Sequence, residues 1–332
     1  MVRFGIVGTG KITEEFVMSA RASGEAEPVA VCSRAEATGF EYARKHAIPH
    51  VFTNPDDMLA SGKVDAVYIA SPNALHARQA IQCLEQGIPV LLEKAVASNA
   101  KEFESVIAAA RNSGTLLMEA MKTTLVPAFT ALREQLPKLG VIRHYFASYC
   151  QYSSRYDAHL AGEYRNAFDP ALSNGSLMDI GIYCVYPAIL LFGVPKTIQA
   201  SASLLSTGVD GSGSLILGYA DMDAVLMHSK NTDSWLPMEI QGEKATIRMD
   251  RVNLPEKVEI LYRDGHVETV PVSRPDPFMT YEIREFTGLM RRGEKESRIN
   301  SWTTSLETLR VMDEARRQTG VVYPADPWRH IP

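Results

Sequence analysis

The sequence contains few cysteines and no basic stripe, and these shortages exclude several classes of protein. No two of its four cysteines form a C-x-x-C pair. Isolated cysteines of this kind are typical of buried small side chains in a reducing compartment, not of a disulfide framework. The 34 basic residues are outnumbered by 39 acidic ones, and no basic run is interleaved with aromatic residues. We therefore expect neither nucleic acid nor an anionic membrane surface as a partner.

Metal ligands and targeting segments are lacking as well. The eight histidines show neither H-E-x-x-H nor another ligand spacing, so no metal site is predicted. The first apolar strand begins at Val2, which leaves no room for a signal peptide, and no apolar run approaches membrane-spanning length. These features predict a cytoplasmic protein, and its 332 residues are enough for two domains.

The first 24 residues contain a strand, a glycine turn and a helix in succession. Residues 2–7 are an apolar strand, and Phe16 and Ala20 continue a helical spacing of four that starts in the turn. Such a turn exposes backbone N–H groups at a helix N-terminus, where a pyrophosphate can bind. The residues predicted to contact a dinucleotide here are Gly8, Thr9, Gly10, Lys11 and Ile12. A plain structural turn is the alternative, because the third motif position is Thr13, not glycine or alanine.

Strands and helices alternate as far as Met121 and then change character. The predicted strands of the first region are residues 2–7, 28–32, 64–70, 89–92 and 116–118, with helices between them. Regular alternation implies a parallel sheet covered on both faces. The second region has an apolar helix over about residues 175–192, several strands joined by tight turns between 197 and 272, and two closing helices. The sequence thus predicts a doubly wound Rossmann domain at 1–121, and an α+β domain with a large open, mainly antiparallel sheet at 122–332. The last helix could pack back on the first domain.

Ser33 and Arg34 follow the second strand, where an NAD-preferring site would place an acidic residue. Ser33 and Glu36 also have the spacing of a capping box, so a purely structural role is open for Ser33. A cation in the first turn of a helix opposes the helix dipole, and Arg34 therefore suggests another purpose. Because a guanidinium can grip a 2′-phosphate with two hydrogen bonds, this corner favours NADP over NAD, with NAD still possible.

Ser71, Asn73 and His76 follow the strand that should border the cofactor. Asn73 fits an ordinary helix N-cap and His76 an ordinary first-turn residue. The same turn also lies where the nicotinamide end of a dinucleotide would pass, so all three residues are candidates for cofactor binding. The sequence leaves both interpretations open.

Glu93 and Lys94 stand at the carboxyl end of an all-apolar strand. Such a charge pair is usually a solvated strand end. In a doubly wound sheet, however, that end faces the ligand crevice. Lys94 is therefore the first catalytic candidate, and both residues are candidates for cofactor binding.

Asp179 and Tyr183 are four residues apart in the strongly apolar helix and would share one face. An aspartate in such a helix is costly unless something binds it. Gly181 costs about 1 kcal/mol relative to alanine in a helix interior, which suggests that another group approaches the backbone there. Pro187 should kink the helix just after Tyr183. The alternative is a core tyrosine hydrogen-bonded to a buried aspartate.

With these residues in view, the chain resembles the Gfo/Idh/MocA oxidoreductase family over nearly its whole length. The motifs that carry the resemblance are Gly8-x-Gly10-x-Ile12, Ser71-Pro72-Asn73 with His76, Glu93-Lys94, Met118-Glu119-Ala120, Gly175-Ser176-Leu177-x-Asp179-x-Gly181-x-Tyr183, Ile240-x-Gly242-Glu243-Lys244 and Gly320-x-x-Tyr323-Pro324. The positions that depart from the family pattern are Ala95 in place of proline, Lys122 and Thr124 in place of the tryptophan and arginine of dihydrodiol-type members, and Tyr186 in place of an aspartate.

The resemblance implies an N-terminal Rossmann domain and a C-terminal domain whose open sheet often forms a dimer interface. A homodimer or homotetramer is therefore expected. Many members carry histidine where Tyr183 stands. Tyrosine there looks like the branch of dihydrodiol dehydrogenases and glucose–fructose oxidoreductase, which favour NADP.

These observations lead to a hypothesis of hydride transfer between NADP(H) and a carbonyl or secondary alcohol of a sugar, polyol or cyclic diol. Tyr183 would exchange the proton, and Lys94 would favour its phenolate, because a free tyrosine titrates near ~10. Asp179 would accept a hydrogen bond from a substrate hydroxyl. Arg165 and Lys122 are expected to line the substrate pocket.

Three other functions remain open at this point. Similar proteins reduce bilin-like substrates, which need a broad apolar cleft. A redox-inert sensor could bind NADP to regulate a partner. A methyltransferase could use the same glycine turn, but Glu93-Lys94 and the tyrosine helix would then have no role.

Overall fold

The structure, a computed structural model, describes residues 1–163, 166–273 and 277–328. The chain forms two compact units. The first is Met1–Lys122 together with Asp276–Thr303, and the second is Thr123–Pro275 together with Thr304–Pro332. The chain therefore leaves the first unit at residue 122 and returns to it near its end, whereas the sequence assigns the whole of 122–332 to one domain.

The first 122 residues form a six-stranded parallel sheet covered by helices. Its strands are β1 (Val2–Val7), β2 (Ala26–Cys32), β3 (His50–Phe52), β4 (Ala66–Ile69), β5 (Val90–Glu93) and β6 (Leu117–Ala120). The helices are α1 (Lys11–Ser23), α2 (Glu36–His46), α3 (Pro55–Ala60), α4 (Asn73–Glu85) and α5 (Ala100–Ser113). The strand order is β3-β2-β1-β4-β5-β6, so the order reverses between β1 and β4. This is the doubly wound Rossmann arrangement, and the predicted fold class is confirmed.

The second unit contains an eight-stranded sheet. Its strands are β7 (Ile142–Cys150), β8 (Thr197–Leu204), β9 (Asp210–Gly218), β10 (Asp223–Ser229), β11 (Met238–Gly242), β12 (Ala245–Met249), β13 (Val258–Tyr262) and β14 (Val267–Val270). The helices of this region are α6 (Pro127–Gln135), α7 (Tyr156–Leu160) and α8 (Ile182–Phe192). The order is β14-β13-β12-β11-β7-β10-β9-β8, and β7 pairs with β10 in parallel while the other pairs are antiparallel. The sheet is thus mainly antiparallel, as predicted, with one parallel pair at its centre.

The chain closes with α9 (Thr280–Arg292) and α10 (Trp302–Thr319). Helix α9 packs on α1 in the first unit. Phe286 of α9 lies 5.6 Å from Phe4 of β1, measured between ring centroids. Phe16 of α1 continues this aromatic core by stacking on Tyr68 of β4 at 4.0 Å. The core of the first unit therefore includes a helix from the far end of the sequence.

Two predicted helix starts are wrong. Helix α2 begins at Glu36 with Ala35 as N-cap, and the Ser33 hydroxyl donates to the Ala35 carbonyl at 3.1 Å. The capping box is therefore not formed. Asn73 is the first residue of α4, not its N-cap, because Pro72 occupies the cap position. Proline has no side-chain acceptor, and Pro72 makes no side-chain cap hydrogen bond at this helix start.

The apolar helix of the second unit starts irregularly. Leu177–Gly181 forms a π-helical turn that leads into α8, so the irregular part precedes Tyr183, whereas a kink after Tyr183 was predicted. The stretch Pro170–Phe192 is long and apolar enough to cross a membrane by length and composition, so the prediction that no apolar run approaches this length is wrong. Since 78% of its 18-residue window is buried inside the structure, it serves as the core helix of this unit.

Gly181 stands at the end of the π-helical turn because a neighbouring ring occupies the space of a side chain. A Cβ at this position would lie 2.9 Å from Cδ1 of Leu177 and 3.0 Å from Cγ of His228. The group that approaches the backbone is therefore the His228 ring on β10.

We predict that Gly181→Ala lowers the urea midpoint of unfolding. Alanine favours a helix by about 1 kcal/mol over glycine, but overpacking against a buried ring costs about 1–3 kcal/mol. The matched control is Gly288→Ala in α9, where a Cβ would meet only the flexible end of Arg292 at 3.0 Å. The control should be neutral or slightly stabilising. A Gly181 variant as stable as the control would contradict the predicted clash.

Glu282 of α9 is fully buried in the first unit. Among the described residues neither of its carboxylate oxygens has a hydrogen-bond partner. Burial, followed by the nearby Glu93 carboxylate, raises the pKa of Glu282 well above its usual value near 4.5. The carboxyl is therefore held in its neutral form at a pH where the unfolded chain would ionise it.

We predict that Glu282→Gln stabilises the protein increasingly as the pH rises above about 4.5. A group whose pKa is raised by folding contributes its full stability below the unfolded pKa and loses it as the pH rises through the folded pKa. Each unit of that shift corresponds to about 1.4 kcal/mol, and glutamine cannot ionise. Urea unfolding of both proteins between pH 4.5 and 8 measures the difference. The exposed Glu85→Gln on α4 is the control, and parallel profiles for wild type and Glu282→Gln would contradict the prediction.

Candidate active site

The glycine turn after β1 leaves open space at the N-terminus of α1. Gly8 has φ +119°, and a Cβ there would lie 2.7 Å from the Ala70 carbonyl oxygen, so this position requires glycine. A Cβ at Gly10, the N-cap of α1, would meet no atom within 4 Å. No side chain caps the helix at this position. The first amide N–H groups of α1 therefore face a space that a pyrophosphate could occupy, and the residues present fit a dinucleotide.

Thr13 takes the third position of the glycine motif without disturbing the turn. Its hydroxyl donates to the Gly10 carbonyl at 2.7 Å, and its side chain is fully buried. Thr9 is half-buried, and Lys11 is exposed beside the turn. A threonine that returns a hydrogen bond to the turn is compatible with close packing of α1, so the departure from glycine or alanine does not disfavour the motif.

Arg34 lies directly beyond β2, at the corner where the ribose of a dinucleotide is held. Its side chain is exposed, and it has no ion-pair partner within residues 1–163, 166–273 and 277–328. Ser33 is half-buried, and its backbone N–H donates to the Phe52 carbonyl at 3.0 Å. An exposed guanidinium at this corner is available to a phosphate group.

His76 is buried and joins two turns at the same end of the sheet. Its Nδ1 lies 2.8 Å from the Ala95 carbonyl oxygen and its Nε2 lies 2.7 Å from that of Ser71. Burial is the largest cause that lowers the pKa of His76 to about 4, whereas the hydrogen bonds with the two backbone carbonyls act against that shift. The Ser71 hydroxyl in turn donates to the Gln79 side chain at 2.6 Å. His76 therefore supports the backbone around Ser71 and Ala95, while Asn73 is half-buried at the start of α4.

Glu93 and Lys94 divide between the interior and the sheet edge. Glu93 is buried and accepts a hydrogen bond of 2.6 Å from the Tyr68 hydroxyl. Burial raises the pKa of Glu93, although the Lys94 charge acts against that shift. Lys94 is only half-buried, and its amide N–H donates to the Glu93 carboxylate at 3.2 Å. Glu93 thus acts as an internal support for Lys94, which lies at the carboxyl edge of the sheet with the Gly8 and Ser71 turns.

Asp179 and Tyr183 lie in the second unit, on the π-helical turn and on α8. The Asp179 side chain is 37% exposed, whereas Tyr183 is only 7% exposed. The Tyr149 ring on β7 packs edge-on against the Tyr183 ring at 5.6 Å. A partly exposed carboxylate and a buried phenol therefore lie four residues apart in one continuous helical stretch.

Three polar residues that the sequence analysis missed hold this element. The amide N–H of Leu177 donates to the buried Asp210 carboxylate of β9 at 2.6 Å. His228 of β10 lies 2.9 Å from the Ser176 hydroxyl through its Nδ1. Burial lowers the pKa of His228, although Asp210 opposes that shift.

Lys230 is the third of these residues. It follows β10 directly, and its Nζ lies 2.5 Å from Oδ2 of Asp179. His228 and Lys230 are two residues apart, as are positions on one face of a strand. Two polar residues at this spacing directly after the apolar run 224–227 were the signal that the sequence offered.

Of the two residues expected to line the substrate pocket, Lys122 and Arg165, the structure describes only Lys122. Lys122 has a mostly buried side chain, and its Nζ lies 3.7 Å from the Glu15 carboxylate within the first unit. Arg165 lies outside the described residues, and its predicted role stays a prediction.

Two family profiles match the chain in succession. Residues 2–121 match the oxidoreductase family with an NAD-binding Rossmann fold, named GFO_IDH_MocA. Residues 133–248 match the GFO/IDH/MocA C-terminal domain. The matched ranges agree with the order of the two sheets along the chain.

Relatives match over almost the whole length. The scyllo-inositol 2-dehydrogenase (NADP(+)) IolU of Bacillus subtilis (strain 168) is 52% identical over 326 residues, which is 98% of this chain and 99% of that protein. The trans-1,2-dihydrobenzene-1,2-diol dehydrogenase of Danio rerio is 32% identical over 344 residues, with 98% and 99% covered.

Solved structures share the fold. KijD10, a 3-ketoreductase from Actinomadura kijaniata crystallised with NADP and TDP-benzene, superposes with a TM-score of 0.84 at 24% identity, covering 96% of this chain and 98% of that one. At this identity the likeness concerns the fold alone. Together with the matched profiles and the full-length relatives, it leads to one conclusion: the chain is an oxidoreductase that belongs to the Gfo/Idh/MocA family.

Proposed function

We propose that this protein is an NADP(H)-dependent dehydrogenase that moves a hydride between the nicotinamide and a carbonyl or secondary alcohol of a sugar, polyol or cyclic diol. The observation that carries the proposal is the pair formed by Asp179 and Tyr183, an exposed carboxylate and a phenol in an otherwise apolar, buried helix. Relatives named as inositol and dihydrodiol dehydrogenases support a substrate with neighbouring hydroxyls on a ring.

The first unit supplies groups that suit NADP. The open N-terminus of α1 at Gly10 suits the pyrophosphate, and the exposed Arg34 suits a 2′-phosphate. The 52% identical relative is named for NADP(+). When bound, the cofactor supplies or accepts the hydride.

Each catalytic candidate has a separate task in the proposal. Tyr183 gives a proton to the forming alkoxide during reduction and takes it back during oxidation. A free tyrosine titrates at about 10, so Lys94 favours the phenolate through its positive charge. Asp179 accepts a hydrogen bond from a substrate hydroxyl and orients the ring. Glu93 and His76 act through the backbone that carries Lys94 and Ser71.

We also propose a cytoplasmic location and an assembly through the sheet of the second unit. All four cysteines are free thiols, which agrees with a reducing, cytoplasmic compartment. The second unit's sheet exposes apolar side chains such as Ile216 and Val225, at 45% and 37%, and we propose that this sheet forms a homodimer or homotetramer.

We predict that NADPH raises the thermal stability of the protein more than NADH does at the same concentration. A ligand at a hundred times its dissociation constant adds about 2.7 kcal/mol. Arg34→Ala should weaken NADPH binding by about 1.5–3 kcal/mol, because a hydrogen-bonded charge pair is lost, and leave NADH binding unchanged. Arg44→Ala at the other end of α2 is the control. Equal shifts with both cofactors, or an Arg34 variant that behaves like the control, would contradict the choice of NADP.

We predict that Tyr183→Phe lowers kcat at least a hundredfold while leaving the NADPH-induced thermal shift intact, because general acid–base catalysis contributes about 10²–10⁴-fold. The matched control is Tyr186→Phe, the same change one turn further along α8 at a fully buried position. Its kcat should stay near that of the wild type. Full activity in the Tyr183 variant would end the assignment, and a wild type that binds NADPH tightly but turns over no carbonyl or polyol would favour a redox-inert sensor.

A further inference from the structure

Lys230 is a buried lysine with a specific partner. The residue is 4% exposed, and its Nζ lies 2.5 Å from Oδ2 of Asp179. A buried ammonium is unfavourable unless a carboxylate or a similar acceptor is close. The position of Lys230 is therefore tied to that of Asp179.

The backbone and the ring environment hold Lys230 in place. Its amide N–H donates to the Gly211 carbonyl, and its own carbonyl accepts from the Ser153 amide, both at 2.8 Å. Its Nζ also lies 5.2 Å from the centre of the Phe168 ring. Because both its backbone and its side-chain end are anchored, Lys230 can fix the direction of the Asp179 carboxylate.

The two partners of this pair differ in exposure. The Lys230 side chain is 5% exposed and that of Asp179 is 37% exposed. The Lys230 ammonium therefore lies on the interior side of the Asp179 carboxylate, and part of the Asp179 side chain remains accessible to solvent. Burying the ammonium of Lys230 costs desolvation, and a partly exposed partner returns only part of it, so this arrangement calls for another role.

Other titratable groups surround the π-helical turn. The elements that pack against this turn are β7, β9, β10 and α8. Their titratable groups nearest the turn are Tyr149, Cys150, Asp210, His228, Tyr183 and Cys184. Burial lowers the pKa of His228, although Asp210 opposes that shift. The Arg316 side chain of α10 lines a small cavity with Leu177, Asp210 and His228. Lys230 is a cation in direct contact with Asp179.

We propose that Lys230 is a positioning residue that keeps Asp179 ionised and aimed, so that Asp179 accepts a hydrogen bond from a hydroxyl of an uncharged polyol. This role rests on the proposed function. The pair carries no net charge, and its outer member is an anion. A substrate with a carboxylate or phosphate at this point would be repelled, whereas a hydroxyl can donate to it.

The test compares the pH dependence of polyol oxidation by NADP⁺ in the wild type, Lys230→Met, Lys230→Arg and Asp179→Asn, using a panel of inositols. Lys230→Met should raise KM at least tenfold and move the acid limb of kcat/KM up by about one pH unit, because loss of a nearby cation disfavours the carboxylate. Lys230→Arg keeps the cation and should keep the acid limb of the wild type. Asp179→Asn should be weakly active with no such limb, because an amide does not ionise.

Two controls show whether an effect is specific. Lys138→Met removes another lysine of the second unit, which pairs with Glu268 at 2.7 Å on the surface, and should match the wild type. The NADPH-induced thermal shift should be unchanged in every variant, which also shows that each one folds.

Three results would overturn the role of Lys230. The first is a folded Lys230→Met with the KM and pH profile of the wild type. The second is a folded Lys230→Arg as impaired as Lys230→Met, which matters if the methionine variant does not fold. The third is a wild type inactive on every polyol. That result overturns the proposed function together with this inference, whereas either of the first two, with an active wild type, overturns the inference alone.

Discussion

The hydrogen bond from the Leu177 amide to the buried Asp210 carboxylate decides where the core helix of the second unit begins. A helix start needs acceptors for its first N–H groups, and here a strand supplies one in place of a local cap. The neighbouring contact between His228 and Ser176 fixes the same turn. Since Asp179 and Tyr183 lie within the next two turns, their positions follow from these two contacts with β9 and β10.

The first unit uses the same physical arrangement. Lys94 is half-exposed at the sheet edge, and the buried Glu93 beneath it is held by the Tyr68 hydroxyl. His76 holds the neighbouring turns from inside. In both units a partly exposed polar group is held by a buried polar group. Such support costs stability, because burial disfavours charge, but it limits the directions that the outer group can take.

The sequence predicted what is local and missed what depends on distant pairing. The secondary structure of residues 2–24 could be predicted because strand, glycine turn and helix follow one another directly. As expected, Gly24 ends α1 in a left-handed conformation. Lys230 and Asp210 were not found, because their partners lie 51 and 33 residues away and meet only through the sheet order. Short elements such as β3 have too few residues to show a period. The N-cap of α4 was predicted at Asn73, but the helix starts one residue earlier than that prediction requires, with Pro72 at the N-cap.

The return of the chain to the first unit has a consequence for biosynthesis. Phe4 and Phe16 emerge from the ribosome first, but the ring of Phe286 that completes their core emerges some 270 residues later. Domains usually fold in the order of synthesis. Here the aromatic core of the first unit stays incomplete while the whole second sheet is made. A chaperone that binds nascent apolar surface would therefore find its site on the earliest part of this protein.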